Sequence, residues 1–129
     1  MIRSGNCTGI LESSRKLQPQ DVASALLNYV PYEKVVRDVM AFYDQDDKKK
    51  DPESFRKCYE WIRTNYGYDK YPGICHIILN IAVMILALCY GNGDYERTLE
   101  ICNLCGWDTD CNVGNVASIM GVRGGLEAI

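Results

Sequence analysis

Two carboxylates stand two residues apart in the stretch Gly106-Trp107-Asp108-Thr109-Asp110-Cys111-Asn112, after a glycine and before a run that suits a helix. On a loop, an Asp-x-Asp pair directs both side chains at one point, and hard oxygen donors suit Mg²⁺, Ca²⁺ or Mn²⁺. A helix starting near Asp110 would hold that carboxylate as an N-cap on its unpaired N–H groups. The same spacing also serves turns and caps that bind no metal. Gly106 fits a loop that needs a positive φ. Cys102-Asn103-Leu104-Cys105 has zinc-like spacing, but no second Cys-x-x-Cys follows and the one histidine, His76, is distant in sequence. No zinc site is expected there. A thiol nucleophile needs a histidine in contact, and nothing pairs His76 with Cys111.

The elements that must position these groups read as helices separated by turns, with no repeat and no alternating strand pattern. Residues 1–18 show little periodicity. Pro19 suits the first turn of a helix carrying Val22, Ala25, Leu26 and Tyr29, and Pro31 that of a helix carrying Val35, Val36, Val39, Met40 and Tyr43. The charge run from Asp44 to Asp51 reads as a solvated loop, and Asp51-Pro52 as the cap and first turn of a helix bearing Phe55, Cys58, Tyr59 and Ile62. Gly67 and Pro72-Gly73 interrupt the chain before its most apolar stretch, about Ile74 to Tyr90. A membrane span needs about 20 apolar residues. This run contains His76 and Asn80 and stops at Gly91, so a buried central helix fits better. Asp94 is placed to cap the next helix, with Leu99, Ile101, Cys102 and Leu104. In the last helix Gly114, Ala117, Ser118 and Gly121 share a face, which predicts close approach of a neighbour and a path across the core.

Length and composition set outer bounds. A chain of 129 residues is one domain's worth. A net charge of −3 gives no sign of a nucleic-acid-binding face. Seven cysteines is an odd number, and the polar start Met1-Ile2-Arg3-Ser4-Gly5-Asn6 lacks the apolar core of a signal peptide. Reduced thiols in the cytoplasm are the simpler expectation.

The wider wording around the aspartates resembles the C-terminal signature of the ADP-ribosylglycohydrolase family, the relatives of the dinitrogenase-reductase-activating glycohydrolases. The resemblance runs through Gly106-Trp107-Asp108-Thr109-Asp110-Cys111-Asn112 and on through Val113-Gly114-Asn115-Val116-Ala117-Ser118-Ile119-Met120-Gly121. Upstream, His76-Ile77-Ile78-Leu79-Asn80 and Leu88-Cys89-Tyr90-Gly91-Asn92-Gly93-Asp94 are similar to the family's helix-break-helix. Gly124-Gly125-Leu126-Glu127-Ala128-Ile129 is similar to the family's stretch just after the signature. The likeness is firm over residues 71–129, loose over 21–68 and absent before that.

The resemblance implies an all-α orthogonal helical bundle with two Mg²⁺ ions at its centre, Mn²⁺ being an alternative. The ions help bind and orient ADP-ribose while its bond to a protein side chain, or to a small ADP-ribosyl compound, is hydrolysed. Asp108, Asp110 and Cys111 take the positions of the family's two aspartates and following hydroxyl residue. A thiol is a poorer Mg²⁺ ligand than a hydroxyl, so Cys111 either leaves its position to water or favours another metal. His76 and Asn80 lie on one helix face near the implied cleft, although a hydrogen-bonded core or helix-end role is the plainer reading of the histidine. Trp107 either stacks on adenine or packs beside the loop. Asn112 and Asn115 bond either the loop or the ligand.

Other family ligands, a Thr-Asp-Asp-like cluster, and the acid/base residue belong to the family's N-terminal part. No Thr-Asp-Asp occurs here, and the adjacent pair Asp46-Asp47 follows Gln45 within the charge run. Residues 1–129 are therefore expected to form the C-terminal part of one ADP-ribosylglycohydrolase-like domain, inactive or nearly so alone. Its apolar helix would be partly uncovered, favouring self-association or a missing N-terminal segment. The alternative is a non-catalytic helical module that works by packing with a partner chain. The linkage cleaved, to arginine, serine, an O-acetyl group or another, is not written in these residues.

Overall fold

A computed structural model describes residues 31–71 and 73–128. The helix expected from Pro19, and Pro72 of the expected turn, lie outside the described residues. Five α-helices and one short closing turn make up the described structure, which contains no strand: α1 (Pro31–Gln45), α2 (Phe55–Tyr66), α3 (Ile77–Tyr90), α4 (Tyr95–Leu104), α5 (Thr109–Gly124) and a 3-10 turn at Gly125–Ala128. The fold is all-α.

Helix α3 is the centre, in contact with each of the other four helices. Every residue from Ile78 to Tyr90 is buried or half-buried, so neighbours cover this helix on all sides. The partial uncovering expected of residues 74–90 falls at their start, at Ile74, which is 97% exposed and precedes the helix, and at Ile77, which is 45% exposed. Its all-apolar wording follows from that position: Leu79, Ala82, Val83, Leu86 and Ala87 are fully buried, and burying each large aliphatic chain stabilises the fold by about 1.5–3 kcal/mol. No helix among the described residues is long and apolar enough to cross a membrane.

The outer helices each bury a single stripe. In α1 it is Val35 and Val39, while Met40 is 48% exposed. In α2 it is Phe55, Cys58, Ile62 and Tyr66, at helical spacing. This helix starts at Phe55, later than Asp51-Pro52 suggests, because the chain first turns through residues 47–54. Asp51 caps that turn, its Oδ1 accepting the Glu53 N–H at 2.9 Å. Asp47, Lys48 and Lys50 of the charge run are exposed. Asp46 is not merely solvated, since Tyr90 donates its hydroxyl to Asp46 Oδ2 at 2.8 Å.

The α3–α4 elbow is closed by contact. A Cβ on Gly91 would fall 1.9 Å from Thr98 Oγ1, so only glycine lets the two helices meet there. Asp94 then caps α4, its side chain accepting the Arg97 N–H at 2.7 Å. Helix α5 departs from expectation. Its buried stripe is Asn112, Val116 and Met120. Gly114 and Ser118 are exposed, and a Cβ on Gly114 or Gly121 would meet nothing within 4 Å. Packing against α3 and α4 uses the stripe with larger side chains, which leaves the small-residue face outward among the described residues.

Candidate functional site

The Asp-x-Asp loop is anchored from behind and strained in front. Cys105, 2% exposed, fixes the end of α4, and Gly106 turns the chain at φ +74°. Trp107 is half-buried, with its ring edge-on to Tyr59 and Tyr68 at 5.2 and 5.5 Å. Asp108 follows at φ +45°, ψ +50°, a left-handed conformation that side chains other than glycine, asparagine and aspartate rarely take. Such strain persists only where surrounding contacts hold it, and it clusters at functional positions.

Helix α5 begins at Thr109, so Asp108, not Asp110, stands at the N-cap position, and its side chain makes no capping bond. The carboxylate points elsewhere. Asp108 Oδ2 accepts from the Cys75 thiol at 2.6 Å and from Asn80 Nδ2 at 2.7 Å. These donors, Cys75 first and then Asn80, hold the Asp108 carboxyl below its usual range. Asn80 Nδ2 also lies 3.4 Å from Cys75 Sγ. The loop before α3 and its first turn therefore meet the start of α5 at one carboxylate.

Asp110 and Cys111, both exposed, sit in the first turn of α5. Donor atoms of Asp108, Asp110 and Cys111 all lie within 4.8 Å of one another. Two carboxylate oxygens and one sulfur at that spacing are a donor set that fits a divalent ion. The negative charges of Asp108 and then Asp110 push the Cys111 thiol up, and the bond to Asp108 does the same for Cys75. A bound cation reverses this logic by favouring the deprotonated ligand.

Of the other residues expected at the site, Asn112 is fully buried and offers no surface to a ligand. Its Nδ2 donates to Trp107 O at 2.7 Å and its N–H to Asp108 O at 2.9 Å, so it ties the loop to α5. His76 is the N-cap of α3, with Nδ1 accepting the Ile78 N–H at 3.2 Å and its ring 5.3 Å from Tyr71. Asn115 is exposed on α5. Trp107 lines a groove of about 480 Å³ with Tyr68, Arg63, Glu60 and Asp69. Among the described residues, Asn80 Oδ1 and Asn112 Oδ1 are buried without a hydrogen-bond partner, each at a cost of about 1–3 kcal/mol.

Cys75 is the residue that sequence reasoning missed. It precedes α3 with no motif around it, and its partner Asp108 is 33 residues away. Cys102 and Cys105, by contrast, are core residues whose thiols burial pushes up to about 11 and about 12. Cys58 is likewise buried and raised to about 12. None of these three belongs to the loop's donor cluster, which is the only group of three or more metal-capable side chains among the described residues.

The model of the ADP-ribosylglycohydrolase family matches residues 6–129. The match reaches into the first twenty residues, where the wording alone carries no resemblance. No curated protein and no solved structure matches the chain.

Proposed function

The chain belongs to the ADP-ribosylglycohydrolase family, and on that premise we propose that it takes part in metal-dependent hydrolysis of the bond joining ADP-ribose to a protein side chain or a small acceptor. The observation that carries this reading is the convergence of Asp108, Asp110 and Cys111 donors within 4.8 Å on a strained loop. Asp108 and Asp110 would hold a divalent ion, Mg²⁺ being the ion the resemblance implies, with Cys111 beside them. Such an ion, when bound, supplies positive charge that orients and polarises the oxygens of ADP-ribose.

The remaining work falls to the protein's own groups. Asn80 and Cys75 fix the rotamer of Asp108 by donating to one of its two oxygens. Asn112 locks the loop to α5 and thereby sets the spacing of Asp108 and Asp110. His76 fixes the start of α3, on which Asn80 rides. The groove beside Trp107 offers an aromatic wall and the Arg63 guanidinium to the part of the ligand away from the loop.

Calorimetric titration with Mg²⁺ and Mn²⁺ tests the metal role. Wild type is expected to bind, and an Asp108→Asn/Asp110→Asn double variant to bind at least tenfold more weakly. Equal binding in both would remove these aspartates from the site. A non-catalytic helical module is the second reading. It is favoured by the single metal-capable cluster among the described residues. Release of ADP-ribose from ADP-ribosyl-arginine or ADP-ribosyl-serine peptides by the purified chain would exclude it.

A further inference from the structure

We propose that the groove beside the α3–α4 elbow is a second binding site, separate from the aspartate loop, for a soluble phosphate-bearing ligand. The groove encloses about 640 Å³, a size that suits a small ligand, and is bordered by Tyr43, Lys49, Lys50, Tyr90, Asn92 and Arg97. About 15 Å of α3 separates Tyr90 from Asn80, the residue that holds Asp108.

An anion is favoured because the carboxylates here are already engaged, while most of the cations are not. Asp51 and Asp94 also line the groove. Asp51 Oδ1 accepts the Glu53 N–H at 2.9 Å, and Asp94 Oδ1 accepts the Arg97 N–H at 2.7 Å. Arg97 is likewise committed, to Glu100 at 2.6 Å and to Pro52 O, so it shapes the wall more than it supplies free charge. The ion pairs among the described residues engage Lys34, Arg37, Arg56, Arg63 and Arg97. Lys49, Lys50 and Arg123 take part in none of them. The Lys49 ammonium stands 5.0 Å over the Tyr43 ring and 3.5 Å from Asp44 O, and Lys50 is exposed. Arg123, in the last turn of α5, brings its guanidinium to the elbow, with both terminal nitrogens 3.5 Å from where a Cβ on Gly93 would stand. The α1–α2 connection and the end of α5 thus bring uncompensated positive charge to one groove, in a chain whose net charge is −3. Such a concave site concentrates anions, and ammonium and guanidinium groups donate charge-assisted hydrogen bonds to phosphate oxygens. Half-buried Tyr43 adds an aromatic wall.

Calorimetric titration of the full chain with pyrophosphate in metal-free buffer tests the site. Saturable binding to the wild type is expected, and Lys49→Gln/Lys50→Gln should weaken it about tenfold. Arg123→Gln should weaken it less, and Asp108→Asn/Asp110→Asn should leave it unchanged. Lys48→Gln/Lys57→Gln removes the same charge from exposed positions outside the groove and should have little effect. None of these side chains is in the core, so circular dichroism should show every variant folded. An equal loss in the Lys48/Lys57 control would reduce the binding to overall charge and overturn the proposal. Binding lost only in the aspartate variant would overturn it too, by moving the anion to the loop, as would the absence of saturable binding to the wild type. ADP is the second probe. Tighter binding of ADP than of pyrophosphate, with the gain removed by Tyr43→Leu, supports a nucleotide as the ligand, and equal binding supports the phosphate group alone.

Discussion

At its first turn α3 meets a polar loop that is half open to solvent, and at its last turn it meets a closed elbow. The first end gathers Cys75, Asn80 and Asp108 around one carboxylate, leaves the Asn80 Oδ1 without a partner among the described residues, and holds Asp108 at φ +45°. The second end has its polar groups matched. Tyr90 donates to Asp46, the Gly91 N–H donates to Ala87 O at 2.8 Å, and Asp94 caps the next helix. Both ends hold a left-handed residue other than glycine, since Asn92 of the elbow stands at φ +51°, so the difference lies in the polar groups: one end is under-bonded and the other satisfied. Unmatched buried polar groups cost stability, and those that persist call for a role such as binding. Changes at the elbow should therefore be felt in stability, and changes at the loop in binding.

The largest expected effect is at the elbow. Gly91→Ala puts a methyl 1.9 Å from Thr98 Oγ1, and should destabilise the fold by about 2–3 kcal/mol. Chemical denaturation measures it, and an unchanged midpoint would show that the elbow yields where the packing says it is tight. Metal affinity of the folded fraction should not move.

At the loop, Asp108→Asn should do the reverse. Asparagine tolerates the left-handed backbone that this position requires, so the thermal midpoint should hardly change. Divalent-ion affinity should fall at least tenfold. A large drop in midpoint without loss of binding would dissolve the contrast between the two ends.

Asn80→Ala sits between these cases. It removes an amide bonded to Asp108 but also one orphaned oxygen, so its net cost to stability should stay near 1 kcal/mol. Metal affinity should fall about tenfold through loss of Asp108 positioning. Paired thermal and calorimetric measurements separate the two effects, and a cost of several kcal/mol would mark Asn80 as a structural residue.

The smallest effect lies behind the loop end, where the Tyr66 ring stacks 6.2 Å from Tyr71, which in turn touches His76. Lys34 first, and then the Tyr66 hydroxyl, hold the Asp38 carboxyl below its usual range. A folded value below the unfolded one means a stabilising contribution. It is fully present above about pH 3.9 and lost as pH falls through the lower folded value. Carboxyl NMR titration should show Asp38 below the usual range in wild type and nearer to it in Tyr66→Phe. Equal values in both would remove the hydroxyl from this cluster.

Much of this contrast was legible residue by residue. The apolar wording of residues 74–90 marks a central helix, which begins three residues later, at Ile77, and Gly91-Asn92-Gly93-Asp94 marks its stop and the next cap, because helix ends are encoded within a turn of the chain. Asp108, Asp110 and Cys111 could be grouped because they are near neighbours in sequence. Two readings failed for one shared reason. Side-chain type points to Asp110 as the N-cap, whereas the left-handed turn that puts Asp108 there has no mark in the wording. Spacing identifies the small-residue face of α5 but not which neighbour covers it, and that face lies outward.

By itself, then, the sequence determined which segments are helical, where most of them stop, and which short loop carries paired carboxylates. Those properties come from backbone hydrogen bonding and side-chain period over a few residues. Only the tertiary structure brought Cys75 to Asp108 across 33 residues and Tyr90 to Asp46 across 44. It also buried Asn112. Contacts at that range depend on how whole helices pack around α3, a choice made by the sum of many apolar contacts and recorded in no single stretch of the chain.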